Sequence, residues 1–335
     1  MRELQNTDRT VVYQGEALVS EEGCELNGQG KLETFGYEGR YDLFSGRFIC
    51  NVRHGQATLI KKNAEGKALL EFEGVFWEDM PEGQGQLTLL NEAKRVFQGQ
   101  FKDGLMEGFG QVECKGKFTY SGQWHQGKPH GQGQCVYSEL DLVYTGMWEN
   151  GVKCGQGEII YQKTGYKMRG NFKDDMLDGE GTRTFAGGKT LSGIWSEGHL
   201  VTGKMVNVDG TTYDGDWVGG RPHGTGVKVI SGGKRYEGMF SVGRPWGKGA
   251  KVSGEARTEG YWDRAKFVEG TAAEEKVAEF NEQLQSIRTY YKVFKKFHAK
   301  ELPRTNYDCN KEEAAELDGL CELELLERVS NECSA

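Results

Sequence analysis

The residues best suited to chemistry are six histidines, eight cysteines and a series of Gly-x-Gly triplets. Zinc sites need His and Cys ligands at short, regular spacings. His54, His130 and His223 each stand just before a Gly-x-Gly-like triplet, yet the matching places elsewhere hold residues as different as Glu107 and Trp246. The cysteines are scattered without a C-x-x-C pair. We therefore expect a structural role for the histidine place, reduced thiols, and no metal site.

The glycine triplets also fail as nucleotide-binding loops. A dinucleotide loop follows a strand and opens a helix, and none of these triplets precedes a helical pattern. Gly188-Lys189-Thr190 resembles the end of a phosphate-binding loop, but Arg183 stands where the first glycine is required. The chain has no Gly-x-Ser-x-Gly nucleophile motif, and no carboxylate pair stands out on so charged a sequence. The sequence predicts no enzyme and no cofactor.

The composition favours a repeat architecture over a thick globular core. Of 335 residues, 50 are Gly and 5 are Pro, while 11% are aromatic. Abundant glycine combined with abundant aromatic residues is typical of many tight turns between many strands. The hydrophobic fraction of 36% and the mean hydropathy of -0.66 are low for a deep core. A linear stack, in which each unit contacts only its neighbours, tolerates such a composition.

One phrase recurs along the chain: aromatic, x, Gly, x, aromatic, two residues, a turn residue, three residues, then Gly-x-Gly. Its first positions are 22 to 28 residues apart, and the copies that start at Leu191 and Thr258 keep only the first half. Positions 1, 3 and 5 share one face of a strand because side chains alternate. The turn residue is Gly, Asn or Asp, as in Asp103-Gly104, which favours a tight hairpin turn. The copies start at Phe44, Phe72, Phe97, Tyr120, Tyr144, Met168, Leu191, Tyr213, Tyr236 and Thr258.

Each copy therefore predicts one hairpin of about 23 residues, and its missing glycine side chains would make room for aromatic rings. An isolated hairpin is marginal in water, so neighbouring copies must stack. The phrase Y-x-G-x-W-x-x-G-x-x-h-G-x-G resembles the MORN repeat over residues 37–265. The resemblance implies an elongated, twisted antiparallel sheet of about ten hairpins with an aromatic-lined groove. About 20 strands at roughly 4.8 Å would extend on the order of 90 Å.

Two flanking regions depart from the repeat. Residues 1–36 contain Tyr13-Gly15 and Gly28-x-Gly30, which we interpret as a degenerate N-terminal cap before the β-repeat region 37–270. Residues 271–335 form a tail with little glycine, in which an apolar heptad pattern predicts a helix over 272–300 and further leucines predict a second one over 311–329. This tail would cap the sheet or serve for dimerisation or partner docking. The heptad residues are Val277, Phe280, Leu284, Ile287, Tyr291 and Phe294.

The aromatic stripe is the candidate binding surface of the sequence. Two interpretations stand side by side: the rings are the thin core of the sheet, or one face stays open to a partner helix or extended segment. The candidate groove residues are Tyr120, Trp124, Tyr144, Trp148, Trp195, Tyr213, Trp217, Tyr236, Phe240 and Trp262.

The net charge of -8 argues against a nucleic-acid footprint, and no stretch is apolar enough for a leader peptide or a membrane span. We predict a cytoplasmic protein. Proteins that resemble this one, with stand-alone MORN repeats, imply a scaffold in a cytoskeletal, ciliary or flagellar assembly with axonemal protein partners and a homodimer through the C-terminal end. An alternative is a membrane-tethering phosphoinositide binder, since Lys292, Lys295, Lys296 and Lys300 cluster in the tail.

Overall fold

A computed structural model of the chain describes residues 2–5, 11–20, 23–36, 39–91, 94–230 and 232–268. These residues form two compact units, here called unit 1 (2–152) and unit 2 (153–268). The elements of the described residues are β-strands, as the repeat pattern predicted. The predicted helices and heptad residues of 271–335 lie outside the described residues, so those predictions are untested.

In unit 1 each strand pairs antiparallel with the next one along the chain. The two strands after the first form a hairpin in which Gly15 stands opposite Gly30, as glycines do in later hairpins. The strands are β1 (Arg2–Gln5), β2 (Val11–Ser20), β3 (Gly23–Phe35), β4 (Tyr41–Ile49), β5 (Val52–Lys62), β6 (Ala68–Trp77), β7 (Met80–Leu89), β8 (Arg95–Lys102), β9 (Leu105–Cys114), β10 (Phe118–His125), β11 (Lys128–Tyr137) and β12 (Leu142–Glu149).

Unit 2 repeats the same meander of antiparallel hairpins. Its first strand begins at the residue where the two units divide. The strands are β13 (Val152–Tyr161), β14 (Lys167–Lys173), β15 (Met176–Thr184), β16 (Thr190–Ser196), β17 (His199–Val206), β18 (Thr212–Val218), β19 (Arg221–Val229), β20 (Arg235–Ser241), β21 (Arg244–Ser253), β22 (Ala256–Asp263) and β23 (Lys266–Val268).

The hairpin turns have the geometry expected from their dipeptides. In the turn between β8 and β9, Asp103 has φ 50° and Gly104 has φ 79°. A two-residue turn with two positive φ angles matches the right-handed twist of the strands that it joins. The turn prediction is confirmed.

A bulge follows most of these turns, and the repeat phrase alone did not predict it. Gly122 pairs with Gly133 and Trp124 with Pro129, so residues 130–132 of β11 stand against the single residue 123 of β10. Proline has no backbone N–H, so it fits at a position where the paired strands need no hydrogen-bond donor. Its carbonyl can still accept a hydrogen bond: the backbone N–H of Gly151 donates to the carbonyl oxygen of Pro129 at 2.8 Å. The same place is occupied by Pro81, Pro129, Pro222 and Pro245, four of the five prolines.

The paired glycines leave space for rings on one face of the sheet. A Cβ on Gly133 would lie 2.6 Å from Cε2 of Tyr120, closer than carbon atoms approach. In unit 2, a Cβ on Gly226 would meet Tyr213 in the same way. The prediction that these glycines make room for aromatic rings is confirmed. No helix in the described part of the chain is long and apolar enough to span a bilayer.

Candidate interaction surfaces

In unit 1 the rings at positions 1 and 5 of the repeats form a continuous series. This series and the corresponding rings of unit 2 are here called the ring ladder. The Tyr120 ring packs edge-on against Trp124 of its own repeat (5.2 Å between centroids) and Trp148 of the next (5.3 Å). Edge-to-face pairs of this kind add about 0.5–1.5 kcal/mol beyond the area they bury. In unit 1 the series is Tyr13, Phe48, Phe44, Phe76, Phe72, Phe101, Phe97, Trp124, Tyr120, Trp148 and Tyr144.

The ladder of unit 2 differs at its start. From Trp217 to Phe267 the rings alternate as in unit 1. Earlier, Met168 and Leu191 stand at position 1, where other repeats have a ring. There the guanidinium of Arg183 lies over Trp195, with Cζ 4.4 Å from the ring centroid. A cation over an indole face is attracted by the ring quadrupole, so Arg183 takes over part of the packing that a ring supplies elsewhere.

Polar atoms of the rings are satisfied by backbone carbonyls. The hydroxyl of Tyr144 donates to the carbonyl of Met147 at 2.8 Å, and Tyr213 donates to Asp216 at 2.9 Å. The indole N–H of Trp217 donates to the carbonyl of Gly203 at 2.8 Å. Burial raises the pKa of Tyr236 to about 12 and also raises the pKa of Tyr213. Both hydroxyls stay protonated near neutral pH because the charged form would lose its hydration.

All ten residues of the predicted groove belong to this buried ladder. The most exposed of them is Trp262 at 9%, while Tyr144, Tyr213 and Phe240 are at 0%. The interpretation that the rings form the core is therefore correct, and ring faces are not open in the described structure. A partner on this side would therefore meet mainly the side chains that lie between the rings. Whether a partner binds here stays a prediction.

The side chains between the rings distinguish the two units. The residue two places after the second glycine is directly opposite position-1 residues, as Lys228 is opposite the rings of Tyr213 and Tyr236. Arg183 is opposite Met168 and Leu191, which carry no ring. Residues directly opposite each other point to the same face. In unit 1 these residues are buried and apolar, namely Leu59, Leu87, Val112 and Cys135. In unit 2 they are Ile159, Arg183, Met205, Lys228 and Lys251.

We call Arg183, Lys228 and Lys251 the basic slots. Arg183 and Lys228 are half-buried and Lys251 is exposed. Unit 2 as a whole has 18 Lys and Arg against 13 Asp and Glu, a net charge of +5, whereas residues 1–152 have 15 against 22, or -7. Because these two net charges have opposite signs, they nearly cancel when the units are counted together, and the net charge hides their separation. An alignment of the repeats to one another would have revealed the basic slots in the sequence. Counting the charge of each unit separately would have revealed the difference in net charge.

The histidines do not assemble into a ligand set within the described ranges, where no three His, Cys, Asp or Glu side chains gather as a metal site requires. His223 is buried, and His54 packs edge-on against Trp77. Nδ1 of His125 lies 3.0 Å from Glu107 Oε1. That contact, together with the N–H donated by Gln126, lowers the pKa of Glu107. These contacts hold one hairpin turn against the next.

Comparison with protein families identifies the repeat. The family model described as the MORN repeat matches residues 72–89, 97–115, 120–139, 144–165, 169–190 and 213–235. These six matches coincide with copies of the phrase found in the sequence. The comparison with curated proteins found no match.

Proposed function

Because this chain is a MORN-repeat protein, built from repeats that are non-catalytic interaction modules, we propose that it is a scaffold that binds protein partners along the ring side of its sheet. The observation that carries the proposal is the presence of the basic slots beside the ring ladder of unit 2. Cations that lie beside this buried core suit an acidic partner segment, because charge-assisted hydrogen bonds to carboxylates are strong and complementary charge gives specificity.

The spacing of the slots constrains the partner. Lys228 on β19 and Lys251 on β21 lie two strands apart, on the order of 10 Å. An extended segment covers that distance in about three residues, and a helix in about seven residues. The expected partner therefore has Asp or Glu at one of these two intervals, with apolar residues between them.

At the level of the cell, we propose that the partners belong to a cytoskeletal assembly, such as a cilium or flagellum with its axoneme, and that the chain acts in the cytoplasm. The support is the resemblance to stand-alone MORN proteins. Recovery of axonemal or cytoskeletal proteins on the full chain would support this assignment, and their absence from the captured set would oppose it.

Charge reversal in the basic slots tests the binding surface. We expect the double variant Lys228→Glu, Lys251→Glu to lose the proteins that the full chain captures. The matched control is Lys204→Glu, since Lys204 is exposed in the same unit but pairs with Ser192 and Asp214 on the opposite face. Equal capture by the double variant and the wild-type chain would refute binding at this surface.

A homodimer through the C-terminal end is a separate part of the proposal. It rests on the heptad residues Val277, Phe280, Leu284, Ile287, Tyr291 and Phe294. Sedimentation equilibrium of the full chain and of a chain ending at residue 270 tests it. We expect a dimer for the former and a monomer for the latter. Equal masses per chain would contradict the proposed dimer contact.

The net charge of unit 2 also favours a second function, tethering to membranes that carry phosphoinositides. Each Lys or Arg near an anionic surface contributes about 1 kcal/mol, and salt weakens this attraction. Vesicles of phosphatidylcholine with and without a phosphoinositide separate the two functions. Phosphoinositide-dependent binding that persists at physiological salt, without a captured protein, would favour tethering over scaffolding.

A further inference from the structure

The face opposite the ring ladder carries a largely neutral band in unit 1. A row of directly paired residues crosses β4 to β12, here called the polar row, and eight of its nine members are neutral. The row is continuous because each member is opposite the next in the strand pairing. Its members are Ser45, Thr58, Glu73, Gln86, Gln98, Gln111, Ser121, Gln134 and Thr145.

The corresponding row of unit 2 shows that neutrality is not a requirement of the fold. That row also runs through directly paired residues, and six of its ten members are charged. Nine of the 17 glutamines of the chain lie on this face of unit 1 between residues 56 and 134. The members of the unit 2 row are Glu158, Arg169, Thr182, Ser192, Lys204, Asp214, Val227, Glu237, Ala250 and Glu259.

A shallow open groove of about 660 Å³ runs along the polar row. The groove is lined by paired glycines such as Gly85 and Gly99, by glutamines such as Gln86 and Gln98, and by one carboxylate, Glu73. The ring of Phe109, 63% exposed, borders the groove. Nε2 of Gln98 donates to Oε1 of Gln86 at 2.6 Å, so neighbouring amides hold each other in place.

This combination selects a ligand by chemistry. Each glutamine amide presents two donors and one acceptor, which match hydroxyl groups that both donate and accept. An exposed phenyl ring offers a flat apolar surface for the C–H face of a sugar ring. Lys31 is paired with Ser45 at the end of the row but does not line the groove. No Lys or Arg is among the residues that line the groove, so it lacks the attraction that phosphate groups of nucleic acids or acidic lipids require. We propose that the groove along the polar row binds a chain of neutral sugars.

Affinity electrophoresis of the full chain tests the proposal, with soluble β-glucan, mannan, xylan and glycogen as probes. We expect at least one of these polysaccharides to retard the protein. Phe109→Ala and Gln98→Glu should each weaken that binding by about tenfold, because each removes or repels one direct contact.

Matched controls lie on the same face of unit 2. Ile194→Ala removes an exposed apolar side chain, and Ser192→Glu adds a charge at the repeat position that corresponds to Gln98. Both controls should bind as the wild-type chain does. The proposal fails if none of the four polysaccharides is bound, or if the controls weaken binding as much as the groove variants. If no polysaccharide binds and Gln98→Glu abolishes capture of a protein, the polar row is a protein-binding surface and the proposal fails.

Discussion

The indole nitrogen of Trp124 donates a hydrogen bond to the carbonyl oxygen of Gly110, 3.2 Å away in the preceding repeat. Trp148 makes the same bond to Gly133 at 3.3 Å. The tryptophan at position 5 therefore joins two repeats through its ring and its N–H together. Since each repeat of such an array contacts only its neighbours, these joints determine how cooperatively the hairpins unfold.

Replacing Trp124 by Phe keeps an aromatic ring and removes the donor. We expect Trp124→Phe to reduce the free energy of unfolding by about 1 kcal/mol, from the lost hydrogen bond and the smaller ring. Urea unfolding, monitored by circular dichroism, measures this change in the free energy of unfolding. Trp77→Phe is the control, because Trp77 is 61% exposed. Equal effects of the two substitutions would contradict a joint at Trp124.

The glycine pairs should tolerate no side chain. A Cβ on Gly226 would lie 2.5 Å from Oη and 2.6 Å from Cζ of Tyr213. We expect Gly226→Ala to destabilise unit 2 by about 1–3 kcal/mol, as overpacking usually does. Gly187→Ala is the matched control because nothing lies within 4 Å of its Cβ position. Thermal unfolding of both variants decides the matter, and a Gly226→Ala protein as stable as the control would be inconsistent with the packing described.

A buried ion pair joins the start of β13 to the turn after β14. Nζ of Lys153 lies 2.9 Å from Oδ1 of Asp175, and both side chains are largely buried. Asp175→Asn keeps a hydrogen-bond acceptor and removes the negative charge that lies beside the buried Lys153 ammonium. We expect a loss of about 3 kcal/mol in chemical denaturation. The corresponding substitution Glu259→Gln, at an exposed carboxylate paired with Arg257, should lower the free energy of unfolding by less than about 1 kcal/mol.

Losses of similar size at Asp175 and Glu259 would show that burial does not strengthen the first pair. The variant Lys153→Met, Asp175→Asn provides a further check. It should be more stable than Asp175→Asn alone, because it also removes the buried positive charge.

The buried tyrosines predict unfolding in alkali. The pKa of Tyr236 is raised by burial to about 12, against about 10 in an unfolded chain. A raised folded-state pKa contributes stability that is complete below pH about 10 and is lost as the pH rises toward about 12. Tyrosinate absorbance and circular dichroism should therefore change together across that window. Ionisation of all tyrosines near pH 10 without unfolding would contradict the burial, and Tyr236→Phe should make the loss less steep.

Much of the fold was predictable because its information is local. The alternation of Tyr120, Gly122 and Trp124 places two rings and a glycine on one face, and Asp103-Gly104 encodes a turn. The bulge opposite Gln123 was not predictable from the phrase, since it depends on how the return strand meets the turn of the following repeat. The sequence shows four prolines at one repeat position. Their structural reason, a position that needs no backbone donor, becomes clear only with the geometry of the bulge.

The candidate surfaces were only partly predictable. The sequence identified the rings but not their burial, which arises because each ring covers its neighbour in the next repeat. The basic slots and the polar row depend on which residues stand opposite one another across strands, such as Lys228 with Tyr213 and Gln98 with Gln86. That pairing becomes certain only with the strand register, although the residue types at each repeat position were available beforehand.

Lysine footprinting tests the proposed scaffold surface most directly. The full chain, alone and in the complex recovered by affinity capture, is treated with an amine-acylating reagent, and each lysine is quantified by mass spectrometry. Binding along the ring side of unit 2 predicts that Lys228 and Lys251 become protected in the complex while Lys204 reacts as before. Protection of Lys204 with unchanged labelling of Lys228 and Lys251 would contradict it.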